Sequence, residues 1–367
     1  MASRGVGPFS GQRLRLARFR ASLTARELAE RVGVTPSAIS QFETGRAKPT
    51  AAVAAALALA CGVPVAYFDA LGRQISPNGM DGTHFRSLRS TTKQARGRAF
   101  YWAEAALDLS EALDGHVELP RPDVPSYPVS GDARTSEIER SAQALREHWS
   151  LPEGPVSNVI RLLESRGVVV TLLPLDDRTI DGYSHFQGSR PVVVLTSTKG
   201  DAGRARFDAA HEVGHLVCHP DADPGGAQEK QANTFAAEFL MPRVLIAREL
   251  PRRFDLDAYA RLKHKWGVSI QALLYRAREL EVITEAAYRR SVMTISRDFG
   301  RSAEPYPLPG REHPRLLALA VEVAAQSGVE RETLANEAGL TLDDLDSLTA
   351  ELERRPVVDA YATDQGR

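Results

Sequence analysis

Residues 207–219 read FDAAHEVGHLVCH and place histidines at 211, 215 and 219 around Glu212. Histidines four positions apart lie on one helix face, one turn above the other, so His211 and His215 can share one metal ion. Glu212 projects to the side, where it can take a proton from a water held by that ion. A catalytic zinc uses three protein ligands and leaves a fourth position open. The next apolar-periodic stretch, EKQANTFAAEFLMP at 229–242, follows the turn Pro224-Gly225-Gly226 and can fold back on the first helix. Glu229 and Asn233 share one face of it, which makes Glu229 the preferred third ligand and Glu238 its competitor. Cys218 and His219 also carry ligand atoms, but their place at the end of the motif helix fits a core thiol and a surface or supporting imidazole better.

Outward from this motif, Val168 to Leu173, Tyr183 to Phe186 and Pro191 to Leu195 read as strands. Helical patterns occupy 132–149 and 155–166 before the motif, and 243–250, 256–265, 269–279 and 284–296 after it. Four prolines, Pro120, Pro122, Pro125 and Pro128, mark a boundary near residue 130. Residues 298–312 read as a Pro/Gly-rich linker. Residues 313–356 read as a small helical unit, acidic around Asp343, Asp344 and Asp346, that suits a partner or dimer contact.

The N-terminal stretch has a different character. LTARELAERVGVTPSAISQFETGRAKPT at 23–50 contains two helix starts, each with its own chemistry. Thr24 and Glu27 form a capping box, and Gly33 ends that helix. Thr35 then caps and Pro36 takes the first helical position of the next. Residues 1–50 hold nine bases against three acids, although the 367-residue chain is nearly neutral, with Lys+Arg 46 and Asp+Glu 47. One basic domain on a neutral chain points to a polyanion partner for that domain alone. A second basic run, Arg86, Arg89, Lys93, Arg96 and Arg98, follows on a connecting helix expected within 84–118. Two cysteines exclude a disulfide-built scaffold, and no apolar stretch of 18 residues is present, so the expectation is a cytoplasmic protein with no membrane partner.

The pair FDAAHEVGHLVCH and EKQANTFAAEFLMP resembles the ImmA/IrrE group of zinc metallopeptidases over roughly residues 140–290. The resemblance implies zinc bound by His211, His215 and Glu229, Glu212 as general base, and a zincin-like α+β domain with a small three-stranded sheet. It also implies a substrate strand added along the sheet edge. Tyr183 and His185, just before or on a strand, are candidate oxyanion stabilisers. The segment at 23–50 resembles the Cro/C1-type (XRE) helix-turn-helix over roughly 12–68. That resemblance implies an operator-reading helix at 35–44, with Ser37, Ser40 and Gln41 facing bases and Thr35, Arg46 and Lys48 holding phosphates. It further implies a homodimer on double-stranded DNA and a structural ion pair between Arg18 and Glu43. Ala25 stands where many members carry glutamine, which removes one expected phosphate contact.

The expected fold class is therefore mainly α with a small β-sheet. Its expected parts are a helix-turn-helix bundle at 10–70, a linker with a connecting helix at 71–130, a metallopeptidase domain at 131–297 and the C-terminal unit at 313–356. The leading functional expectation is a DNA-binding regulator with a zinc endopeptidase that cleaves a protein partner such as a repressor. The alternative resembles the short-chain fatty acyl regulators, in which the second domain senses an acyl-CoA-type effector without proteolysis. A purely structural zinc fits less well, because structural sites are closed by four protein ligands.

Overall fold

The computed structural model describes residues 9–69, 75, 92–173, 182–187, 190–196, 202–220, 225–300 and 304–350. Four helices build the N-terminal bundle: α1 (Gly11–Arg20), α2 (Ala25–Val32), α3 (Pro36–Glu43) and α4 (Ala51–Cys61). Their ends follow the local chemistry. The Thr24 hydroxyl accepts from the Glu27 amide while the Glu27 carboxylate accepts from the Thr24 amide. Gly33 closes α2 in the left-handed region at φ 72°, where a side chain would be strained. Leu14, Leu16, Leu28, Ile39 and Leu57 are fully buried between the four helices.

The second domain is built around a three-stranded sheet ordered β1-β3-β2, with β1 (Val169–Leu173) parallel to β3 (Arg190–Thr196) and β2 (Gly182–Gln187) antiparallel to it. Alternation along β3 divides its side chains. Val193 and Leu195 face a core with Ala209, Val213 and Phe235, whereas Val192 and Val194 face the opposite side. That opposite side is covered by α5 (Lys93–Asp114), the expected connecting helix. α5 packs on the sheet, on α1 and on the C-terminal helices, so it is buried along most of its length. Gly97 makes the α1 approach possible: a Cβ there would lie 2.2 Å from the Phe19 ring.

Ion pairs fasten α5 to its neighbours. Arg13 of α1 pairs with Asp108 at 2.9 Å, and His185 of β2 pairs with Glu104 at 3.0 Å, all four side chains being buried. The C-terminal helices α14 (Leu316–Gln326), α15 (Arg331–Ala338) and α16 (Leu342–Thr349) share the core of α5 and the N-terminal bundle. Asp344 turns inward, accepting from Arg20 at 2.9 Å and from the Tyr101 hydroxyl at 3.0 Å. This helical unit is thus committed, at that carboxylate, to an intramolecular contact.

The remaining helices surround the other sheet face: α6 (Thr135–His148), α7 (Val159–Ser165), α8 (Ala202–Cys218), α9 (Gly226–Leu240), α10 (Arg243–Ile246), α11 (Leu256–Trp266), α12 (Ile270–Glu279) and α13 (Glu285–Phe299). The stretch expected as a linker before α14 is strapped down by two carboxylates. Glu304 accepts from Lys263 and from the Ile270 and Gln271 amides at 2.9 Å each. Glu312 accepts from the Val159 and Ile160 amides and pairs with Arg206. Both carboxylates sit at helix N-termini, where unpaired amides and the helix dipole favour negative charge. No described helix is long and apolar enough to cross a membrane.

Candidate metal centre and nucleic-acid interface

The motif helix α8 lies against α9 in antiparallel fashion, with His211 opposite Asn233 and His215 opposite Glu229. Gly214 sets the close approach, since a Cβ there would meet the Phe235 ring at 3.1 Å. His211 Nε2 and His215 Nε2 are 3.1 Å apart. Glu229 places Oε2 3.4 Å from His211 Nε2 and Oε1 3.3 Å from His215 Nε2. Ligands about 2.0–2.1 Å from a tetrahedral zinc stand about 3.3–3.4 Å from one another. The three donor groups therefore fit the ion with little rearrangement, and among the described residues this is the one such cluster of three or more acidic, histidine or cysteine groups. The side chains of His211, His215 and Glu229 keep 15, 14 and 30% of their surface, so one side of the cluster is open.

The electrostatics suit a cation. Burial acts to raise the Glu229 carboxyl, but the two imidazoles outweigh it and hold it at about 2. Burial pushes His215 down to about 4, which keeps its ring neutral and able to ligate. His211 moves upward, because Glu229, Glu212 and Asn233 overcome the effect of burial. Glu212 is buried beside the cluster, and burial lifts its carboxyl to about 7 against the pull of His211 and Ser184. The Ser184 hydroxyl donates to Glu212 Oε2 at 2.6 Å. Gly182 passes so close that a Cβ there would lie 2.7 Å from Glu212 Oε1. The edge strand β2 thus runs directly past this carboxylate.

The other ligand candidates are engaged elsewhere. Glu238 accepts from Gln143 at 2.8 Å and from the Arg243 amide, and pairs with the buried Arg276. Cys218 is core, its thiol pushed up by burial to about 12. His219 bonds His215 and Gln231. Tyr183 and His185 point away from the cluster. Strand alternation sends Ser184 toward α8 and its two neighbours toward α5, where both rings contact Phe100. The expectation that they stabilise an oxyanion is overturned by that register. The contact between Ser184 and Glu212 was missed in the sequence; its only signal was the odd–even position along β2.

On the N-terminal domain, Thr35, Ser37, Ser40, Gln41, Arg46 and Lys48 are all exposed, and Ile39 and Phe42 are buried behind them. Positions 37, 40 and 41, with Thr44 at the C-cap, follow helical spacing and form one polar stripe along α3. The Thr35 hydroxyl also caps α3 by accepting from the Ala38 amide. Arg18 pairs with Glu43 at 2.5 Å, as the resemblance implied. The basic excess is smaller at the surface than in the count. Arg13 and Arg20 are neutralised by Asp108 and Asp344 from later in the chain. In the second basic run, Arg86 and Arg89 lie outside the described residues, Lys93 is exposed, and Arg98 donates to Ser22.

Two family models match the chain: a helix-turn-helix domain over residues 11–71 and an IrrE N-terminal-like domain of a peptidase family over residues 163–278. An uncharacterized immunity region protein 2 of Bacillus phage phi105 is 30% identical over 91 residues, 22% of this chain and 57% of that protein. The match thus spans little more than half the length of that relative. The crystal structure of ComR from Streptococcus suis aligns over 89% of this chain and 85% of its own, at 11% identity and a TM-score of 0.16, too loose a likeness to describe the fold. The chain thus carries, in this order, a segment that matches a helix-turn-helix domain and a segment that matches the IrrE N-terminal-like domain of a peptidase family.

Proposed function

We propose that this chain is an operator-binding transcriptional regulator whose second domain is a zinc-dependent endopeptidase acting on a protein partner such as a repressor. The observation that carries the reading is the near-equilateral arrangement of His211, His215 and Glu229 with one side open to solvent. A divalent cation bound there would supply Lewis acidity to a substrate carbonyl and acidify a water. Glu212 takes up the proton at its carboxylate, beside the Ser184 hydroxyl that orients it. An extended peptide would add along β2, whose position at the sheet edge leaves backbone groups for pairing.

On DNA, Ser37, Ser40 and Gln41 face base edges in the major groove, and Thr35, Arg46 and Lys48 hold phosphates. Two copies would read a two-fold operator. Purified wild-type chain loaded with zinc is incubated with candidate neighbouring repressors, and fragments are followed by mass spectrometry. Wild type is expected to cut, and Glu212→Gln to keep zinc without cutting. Cutting by Glu212→Gln at the wild-type rate would remove Glu212 as base.

A second reading, effector sensing without proteolysis, draws support from α5, which touches both the sheet beside the metal cluster and α1 of the DNA-binding bundle. It predicts that an acyl-CoA-type ligand alters operator affinity in Glu212→Gln as it does in wild type.

A further inference from the structure

A single file of hydrogen bonds runs from the metal cluster through two buried side chains to the backbone of an exposed residue: His215, His219, Gln231 and the Ser130 carbonyl. Its direction can be read from the Ser130 end. The Ser130 carbonyl only accepts, so the Gln231 atom 2.7 Å from it is the amide nitrogen. Gln231 Oε1 therefore faces His219 Nε2 at 2.8 Å, and that nitrogen carries the proton. A neutral imidazole holds one proton, which leaves His219 Nδ1 as an acceptor. His215 Nδ1 lies 3.2 Å from it and must donate. The other nitrogen of His215, Nε2, is then a bare lone pair, and it is the atom that faces His211 and Glu229.

We infer that His219 and Gln231 are positioning residues that fix His215 as the Nδ1–H tautomer and present its Nε2 to a divalent cation. This rests on the metal reading above. His219 and Gln231 are almost fully buried, retaining only 4 and 5% exposure. The other histidine is held differently. His211 Nδ1 lies 3.0 Å from Oδ1 of Asn233, an exposed residue whose role water can fill. The two arms of the site are therefore unequal: one is held through two buried side chains and the other by an exposed one. Partners of this kind typically change metal affinity by about 10–100-fold.

The test uses the whole chain. Long-range nitrogen–proton NMR on metal-free, nitrogen-15-labelled wild type is expected to show His219 protonated at Nε2 and His215 at Nδ1. Zinc affinity, by competition with a chelating indicator, is expected to fall about 10–100-fold in His219→Leu. It is expected to stay within about threefold of wild type in His219→Asn, whose amide oxygen reaches the place of Nδ1. Asn233→Ala is expected to lose less than His219→Leu. The opposite tautomers, a folded His219→Leu with wild-type affinity, or His219→Asn as weak as His219→Leu would each overturn the inference. If His219→Leu does not fold, the wild-type tautomers decide alone. A wild-type chain with the stated tautomers that binds no zinc would sink the metal reading and leave the hydrogen-bond file standing.

Discussion

Ser184 on β2 donates its hydroxyl to Oε2 of Glu212 on α8 at 2.6 Å, tying the sheet edge to the carboxylate beside the metal cluster. A hydrogen bond to a charged group is worth about 1.5–3 kcal/mol, or roughly one to two powers of ten in a rate that depends on it. Ser184→Ala is therefore expected to keep zinc content near wild type, to lose up to about that much stability, and to slow peptide cleavage by about tenfold or more. Equal cleavage rates would show that Glu212 needs no orienting partner.

Two glycines separate catalysis from stability. Gly182→Ala would push against Glu212 Oε1, the movable end of a side chain, so the expected loss is in cleavage and not in melting temperature. Gly97→Ala would drive a methyl into the Phe19 ring, where α1 and α5 are packed. Overpacking of that kind costs about 1–3 kcal/mol, to be measured by urea unfolding. The reverse pattern, with Gly182→Ala unfolding and Gly97→Ala silent, would contradict both placements.

Much of this was legible beforehand. The capping box at Thr24 and Glu27, the stop at Gly33 and the valine-rich strands rest on interactions within a few residues, and those are written locally. The convergence of His211, His215 and Glu229 was readable in part: helix periodicity pairs the two histidines and the turn brings the next helix back, but these left Glu238 as a competitor of Glu229. The role of α5 was not. Its apolar and charged residues look like those of a connecting helix, but Glu104 and Asp108 find His185 and Arg13 far away in sequence. The same holds for the basic count at the N-terminus, part of which Asp108 and Asp344 neutralise. The side to which Tyr183 and His185 point depended on strand register, in which a shift of one residue reverses every side chain.

The buried pair of Arg13 and Asp108 makes a further prediction. Removing one partner of a buried ion pair costs about 3–5 kcal/mol. Asp108→Ala should lose stability of that order, and the double variant Arg13→Met, Asp108→Leu should recover most of it. Chemical unfolding of the three chains checks this, and an additive loss in the double variant would contradict it.

Cys61 and Cys218 are buried, and burial pushes both thiols from 9.0 to about 12. The folded chain holds these protons more tightly than the unfolded one. Their contribution to stability is thus complete below about pH 9 and is lost as pH rises toward 12. At pH 8 neither cysteine should react with a thiol reagent until denaturant is added. Rapid labelling of the native chain would show that one of them is exposed.

The most direct measurement is the zinc content and affinity of the wild-type chain beside Glu229→Ala, with folding checked by circular dichroism. One zinc per wild-type chain, and loss of most of that affinity when the carboxylate is removed, is the predicted result. A wild-type chain that takes up no zinc, or a folded Glu229→Ala that binds it equally well, would contradict a metal centre built from His211, His215 and Glu229.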